Sequence, residues 1–140
     1  MILGILDTDH VSLLQRQDTF VTDRFSRLPV GETALTIITW EEQMRGRLNV
    51  IRQATSSEQR ISGYMRLFYT ISFLQNFPVL EFEATADNYY LELQRQKIRV
   101  GTQDLRIASI ALSCNAVLVT RNRRDFAKVP NLILEDWTVA

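Results

Sequence analysis

The run at residues 2–6, Ile-Leu-Gly-Ile-Leu, stops abruptly at Asp7, with a second acid one residue further on at Asp9. An apolar run this short, bounded by polar residues, reads as a strand buried on both faces, the kind found in parallel sheets. Such a strand delivers whatever follows it to the carboxyl edge of the sheet, where α/β folds place their ligands. Asp7 is therefore expected at the mouth of a crevice. The pattern recurs along the chain. Residues 34–39, rich in β-branched side chains, run into Trp40, Glu41 and Glu42, and residues 116–120 run into Arg121, Asn122, Arg123, Arg124 and Asp125. Residues 79–82 and 132–134 supply two shorter strands. Helical patterns fill the intervals: 10–14 capped by Thr8 or Asp9, 18–28, from Glu42 to about 53, about 57–76 capped by Ser56 or Ser57, 84–96, and a helix opened by Asp104. Strands alternating with helices call for an α/β protein, with a central, mainly parallel sheet of about five strands and helices on both faces.

The 140 residues suit a single domain, 1–140, large enough for a real core. Apolar residues make up 46% and charged ones 23%, a globular balance. Sixteen basic residues offset sixteen acidic ones, so net charge argues for neither a nucleic acid nor a membrane as partner. All the basic residues but Lys97 and Lys128 are arginine, which suits phosphate or carboxylate recognition. The lone Cys114 excludes an internal disulfide and a cysteine zinc cluster; in its apolar helical run it is expected to be buried and inert. No apolar stretch approaches the roughly 20 residues that span a bilayer, and the N-terminal run lacks a basic leader, so a cytoplasmic protein is expected. In the helix at 57–76, Ile61, Tyr64, Leu67 or Phe68, Ile71 and Leu74 form a three-four stripe, widened by Met65, Tyr69 and Phe73. A core helix is the expectation there, and a face covered by a second subunit or another protein is the alternative.

Acids stand at strand ends or helix starts in four places: Asp7 with Asp9, Glu41 with Glu42, Asp104, and Asp125. The strands of a parallel sheet converge on one edge, so these acids can share a crevice. Packed carboxylates repel and raise one another's pKa. Mg²⁺ or Mn²⁺, which prefers oxygen ligands, relieves that conflict. A cation so held can activate water and stabilise charge on a phosphodiester, without a protein nucleophile. Helix capping is the competing explanation for each acid, and for Asp104 it is as good as catalysis. His10 has no partner at ligand spacing and is expected to be a surface or cap residue. Arg121, Arg123 and Arg124, beside the fourth acid, are candidates for phosphate contacts, and Arg45, Arg47 and Arg52 could extend the path or be solvated charges.

Taken together, LDTD, TWEEQMRG, DLRIASIAL and VTRNRRDF followed by VPNLILEDW resemble the PIN domain, most closely its VapC-like toxin branch. The resemblance runs from Ile2 to Trp137 and is weakest between about residues 50 and 90. It implies a three-layer α/β/α PIN-like fold. It also implies a Mg²⁺- or Mn²⁺-dependent endoribonuclease that cuts single-stranded or loop RNA, often transfer RNA. Inhibition by a small antitoxin and a homodimer are further implications. Carried over by position, the family's first acid falls on Asp7. Its second falls on Glu42, because the family glycine stands four residues on at Gly46, while Glu41 takes a position that is usually small and apolar. Its third falls on Asp104. The fourth is Asp125, just before the phenylalanine as in the toxin branch, or Asn122, two residues after the threonine, where many PIN domains carry an acid. Asp7, Glu42 and Asp104 are thus the implied ligands, with Asp125 or Asn122 reaching the metal through water.

Two alternatives remain at this level. A haloacid-dehalogenase-like phosphatase would use Asp7 as nucleophile and Asp9 as acid, but it needs a lysine and a late acidic pair that Lys97 and the C-terminal segment do not supply. A catalytically inactive PIN-like binding module would use the acids as caps and the aromatic helix as a docking face.

Overall fold

Five short strands form one parallel sheet: β1 (Gly4–Leu6), β2 (Thr33–Thr36), β3 (Val79–Leu80), β4 (Val117–Val119) and β5 (Leu134–Glu135), in the order β3-β2-β1-β4-β5. The computed structural model describes residues 4–139, so Ile2 and Leu3 of the expected first strand lie outside the described residues. From β1 the chain winds outward to β3, then returns to lay β4 against the other side of β1. That reversal makes the carboxyl ends of β1 and β4 the switch point of the sheet, where open α/β folds hold ligands. Asp7 follows β1 there, and its backbone N–H donates to the Val119 carbonyl at 3.0 Å.

Side chains alternate across the sheet as the pleat requires. Ile5 and Leu118 join a buried layer with Leu93, Leu105, Ile107, Ala108, Ile110, Ala111 and Phe126. Leu6, Leu35 and Val119 join the opposite layer with Val11, Leu14, Val21, Leu74, Phe77 and Trp137. The first layer is covered by α5 (Ala84–Arg95), α6 (Thr102–Cys114) and the short α7 (Arg123–Phe126). The second is covered by α1 (Thr8–Gln15), α2 (Thr19–Ser26) and the end of α4 (Ser57–Leu74). The expected α/β/α arrangement is present.

Several boundaries differ from expectation, each for a local reason. The β-branched run at 34–39 is strand only to Thr36. Its hydroxyl accepts the Thr39 N–H at 3.2 Å, which ends the strand three residues earlier than expected and starts α3 (Ile37–Arg52). Helix α1 is capped neither by Thr8 nor by Asp9 but by Asp7. Helix α6 begins two residues before Asp104, with Gly101 at its N-cap.

The aromatic stripe was expected to be core, yet of α4 only Gly63, Thr70 and Leu74 are buried. Ile61, Tyr64, Met65, Phe68 and Tyr69 are mostly exposed, Phe68 to 74%. The reason is the close approach of α3 and α4 at Gly63, where an added Cβ would lie 3.0 Å from Ile51 Cγ1. It sets the buried side of α4 on small residues and leaves the large ones outside. Cys114, expected to be buried, is exposed at the end of α6, where the left-handed Asn115 (φ 55°) turns the chain toward β4. Among the described residues no helix is long and apolar enough to cross a membrane.

Candidate active site

The Asp7 carboxylate is held from two sides. Its Oδ1 accepts the His10 backbone N–H at 2.8 Å, as the N-cap of α1, and lies 3.2 Å from His10 Nδ1. His10 was expected to be a surface or cap residue, but it is fully buried. The apolar layer around Val11, Leu14 and Trp137 closes over it, and the Trp137 backbone N–H donates to its Nε2 at 3.2 Å. Asp7 itself is only 7% exposed, and its Oδ2 has no hydrogen-bond partner among the described residues.

Glu41 and Glu42 separate cleanly. Glu41 is exposed and bridges two neighbours, accepting Arg45 Nη2 at 2.8 Å and Gln103 Nε2 at 2.9 Å. Glu42 is half-buried, and its Oε1 accepts the Thr8 hydroxyl at 2.6 Å. Thr39, fully buried, lies 3.1 Å from the same Thr8 oxygen, so α1 and the start of α3 are tied together beneath Glu42.

Asp104 sits in the first turn of α6, half-buried, and makes no side-chain hydrogen bond among the described residues, so it does not cap that helix. Burial pushes its carboxyl up to about 6, and Glu42, Asp7 and Asp125, in that order, add to the rise. Four acids remote in sequence therefore share one electrostatic neighbourhood.

Asp125 stands at the rim. The Asn122 amide donates to it at 3.1 Å and is the main influence holding its carboxyl below the usual range, against a smaller opposing effect of burial; Lys128 and Arg124 help. Asn122 also caps α7, accepting the Asp125 N–H at 3.4 Å. Asp9, expected as a candidate helix cap, is gripped by Arg121 through both oxygens, at 2.7 and 2.9 Å. Arg123 and Arg124 are exposed and form no ion pair among the described residues. Arg47 turns away to Thr70 at 2.9 Å, Arg45 is paired with Glu41, and Arg52 is exposed.

The donor set suits a hard divalent cation. Asp104 is an acid without a partner among three others, and Asp7 keeps one free oxygen. Asp7, Asp9 and His10 also offer ligand atoms within 4.8 Å of one another, but Arg121 takes both oxygens of Asp9, and both His10 nitrogens are engaged. Asp7, Glu42 and Asp104 lie close enough for their charges to act on one another, but among the described residues their ligand atoms are not gathered within 4.8 Å. Thr8, read from the sequence as a candidate cap, and His10, read as a surface or cap residue, shape the crevice instead, together with Trp137, which was not singled out. Thr8 and Trp137 lie inside the LDTD and LEDW stretches, but which acid each would serve depends on the fold.

The sheet order and the carboxylate crevice at its switch point define the protein as PIN-like. No family model matches the chain. It is 42% identical over 69 residues to ribonuclease VapC2 of Rickettsia felis, a match spanning 46% of this chain and about half, 52%, of that relative. Identity to ribonuclease VapC1 of Haemophilus influenzae strain R2866 is 29%, over 98% of this chain and 99% of the relative. Identity to the tRNA(fMet)-specific endonuclease VapC of Salmonella typhimurium is 26%, again over 98% and 99%. Among solved structures, VapBC-1 from nontypeable Haemophilus influenzae superposes with a TM-score of 0.73 at 27% identity, covering 99% of this chain and 100% of the other. DNA-bound VapBC from Salmonella typhimurium gives 0.76 at 25% identity, covering 98% and 99%. In fold, and in sequence over nearly its whole length, the chain is similar to VapC proteins.

Proposed function

We propose that this chain is a Mg²⁺- or Mn²⁺-dependent endoribonuclease, the toxin of a toxin–antitoxin pair. The observation that carries the reading is Asp104, an unpartnered, half-buried acid whose carboxyl is pushed up by Glu42, Asp7 and Asp125. Asp7, Glu42 and Asp104 would hold the cation, with Asp125 or Asn122 completing the site through water. The cation, when bound, would lower the pKa of a water and offset charge on the phosphodiester. Asp7 keeps Oδ2 toward the crevice while Oδ1 stays engaged by His10, and Thr8 orients Glu42. Below about pH 6, where it holds a proton, Asp104 would have to release it to take up a cation. Arg123 and Arg124 at the rim would meet the RNA backbone, a contact that positions a substrate without reading its sequence, whereas Arg121 beside them is paired with Asp9.

The substrate class is RNA, with transfer RNA suggested by the names of the relatives. A small antitoxin and a second copy of the chain are the proposed partners, with the cytoplasm as the place of action. The phosphatase alternative loses its second residue, because both oxygens of Asp9 are occupied by Arg121.

Purified protein should cleave RNA when Mg²⁺ or Mn²⁺ is added and stop when a chelator follows. Cleavage at the wild-type rate by Asp7→Asn or by Asp104→Asn would refute the assignment. In bacteria, induction of the wild type should arrest growth, and induction of Asp7→Ala should not.

A further inference from the structure

The cation reading leaves one buried polar residue without a task. His10, the only histidine in the chain, is fully buried between Asp7 and the backbone of Trp137. A backbone N–H can only donate, so Trp137 at 3.2 Å requires a lone pair on Nε2. Asp136 Oδ1 lies 3.8 Å from Nε2, beyond hydrogen-bond distance, and already accepts the N–H and hydroxyl of Thr138 at 2.8 and 2.6 Å. The ring is therefore neutral with its proton on Nδ1, which donates to Asp7 Oδ1 at 3.2 Å. That oxygen then carries two donors from one residue, the backbone N–H and the ring, while Oδ2 carries none.

We propose that His10 is a positioning residue: its Nδ1–H pins Oδ1 of Asp7 so that Oδ2 faces the cation. Trp137, held in the tautomer-selecting role by its own anchors, fixes which ring nitrogen donates. Those anchors are firm. The Trp137 indole donates to Glu135 Oε1 at 3.0 Å, Arg24 lies over its ring at 5.8 Å, and the side chain is 2% exposed. Hydrogen-bonded supports of ligating groups fix orientation and basicity in the way this arrangement requires. The inference rests on the cation site proposed above and adds to it a link between the C-terminal segment and the first ligand.

A single histidine makes the test direct. In nitrogen NMR of the metal-free wild type at neutral pH, the imidazole should show a protonated Nδ1 and an unprotonated Nε2. An Nε2–H tautomer, or an imidazolium, would overturn the proposal. Adding Mg²⁺ should shift the Nδ1 signal, and saturating binding with no such shift would also overturn it. Mn²⁺ affinity by calorimetry then separates two variants. His10→Asn keeps an amide donor near the Nδ1 position, whereas His10→Gln places its amide near Nε2. The first should stay within about threefold of wild type, and the second should lose about tenfold or more. Equal losses that track a common drop in melting temperature would mean a structural role only. Should neither variant fold, the two NMR readouts on the wild type still decide. Wild type that binds no divalent ion would sink the cation site itself, whatever the tautomer.

Discussion

The β1–α1 corner and the start of α6 each bring a carboxylate to the same crevice, and the protein treats the two in opposite ways. Asp7 is nearly buried but has two donors on one oxygen and a helix N-terminus behind it. Asp104 is half-buried with no donor, and burial and three neighbouring acids push its carboxyl up to about 6. A buried charge without a hydrogen bond is costly unless something external neutralises it. The first corner thus has its carboxylate held as folded, and the second leaves its carboxylate for the proposed cation to neutralise. A cluster of caps would look like the first corner throughout, so Asp104 is what separates a binding site from a structural one.

Replacing either acid tests that contrast most severely. Asp7→Ala and Asp104→Ala should each cut metal-dependent cleavage by roughly 100-fold or more, as expected for a direct ligand. Their metal-free stabilities should diverge. Asp7→Ala loses its cap and should cost about 1 kcal/mol. Asp104→Ala removes an uncompensated charge; a rise of about two units would mean roughly 3 kcal/mol in full, which solvent screening reduces to about 1 kcal/mol of stabilisation. Thermal melts of the two variants in chelator measure the divergence, and a loss of stability in both would break the comparison.

The pH dependence is the next largest effect. The folded pKa of Asp104 lies above the usual 3.8, so ionising it costs more in the folded state than in the unfolded one. That penalty is absent below about pH 4, grows as pH rises toward 6, and is constant above. Metal-free wild type should therefore lose ground to Asp104→Ala across that window. Cation affinity runs the other way, because loading displaces the proton. Mn²⁺ binding should strengthen by at most about tenfold per unit below pH 6 and level off above it.

Thr8 tests the same idea at smaller scale. Thr8→Val keeps shape but leaves Glu42 without its donor, making it more like Asp104. Cation affinity should fall about tenfold, read by calorimetry, and the melting temperature should fall too, because the buried Thr39 hydroxyl loses its partner at a cost of about 1 kcal/mol.

These contrasts also mark how far the sequence can be read. The strands at β1 and β4 were legible because an apolar run of that length has few other uses, and the acid after each follows from where a parallel strand points. The burial of α4 was not legible. Its stripe obeys helical spacing, but periodicity says only that a helix has an apolar face, not whether this chain covers it. The deciding residue is Gly63, whose missing Cβ sets the approach of α3. His10 was misread for a related reason: its partners are a backbone N–H 127 residues away and the acid three residues before it. Asp9 was misread because Arg121, 112 residues on, occupies it. Local pattern carries the elements, and polar partnerships made across the switch point carry the site.

The smallest expected effects lie at the rim, where three neighbouring arginines look equivalent in sequence. Arg121 is paired with both oxygens of Asp9 through Nε and Nη2, one edge of its guanidinium, so its charge is already offset before any substrate arrives. Arg123 and Arg124 form no ion pair among the described residues. A phosphate contact by a free arginine releases counterions, and for a single strand each contact steepens the salt dependence of binding by about 0.7 in log–log slope. With a non-cleavable RNA, Arg123→Ala and Arg124→Ala should each flatten that slope by about that amount and weaken binding across sequences alike. Arg121→Ala should leave the slope nearly unchanged, because Asp9 already offsets its charge. A flattened slope in Arg121→Ala alone would mean that RNA displaces Asp9, and the rim would then be a latch beside the Asp7 corner.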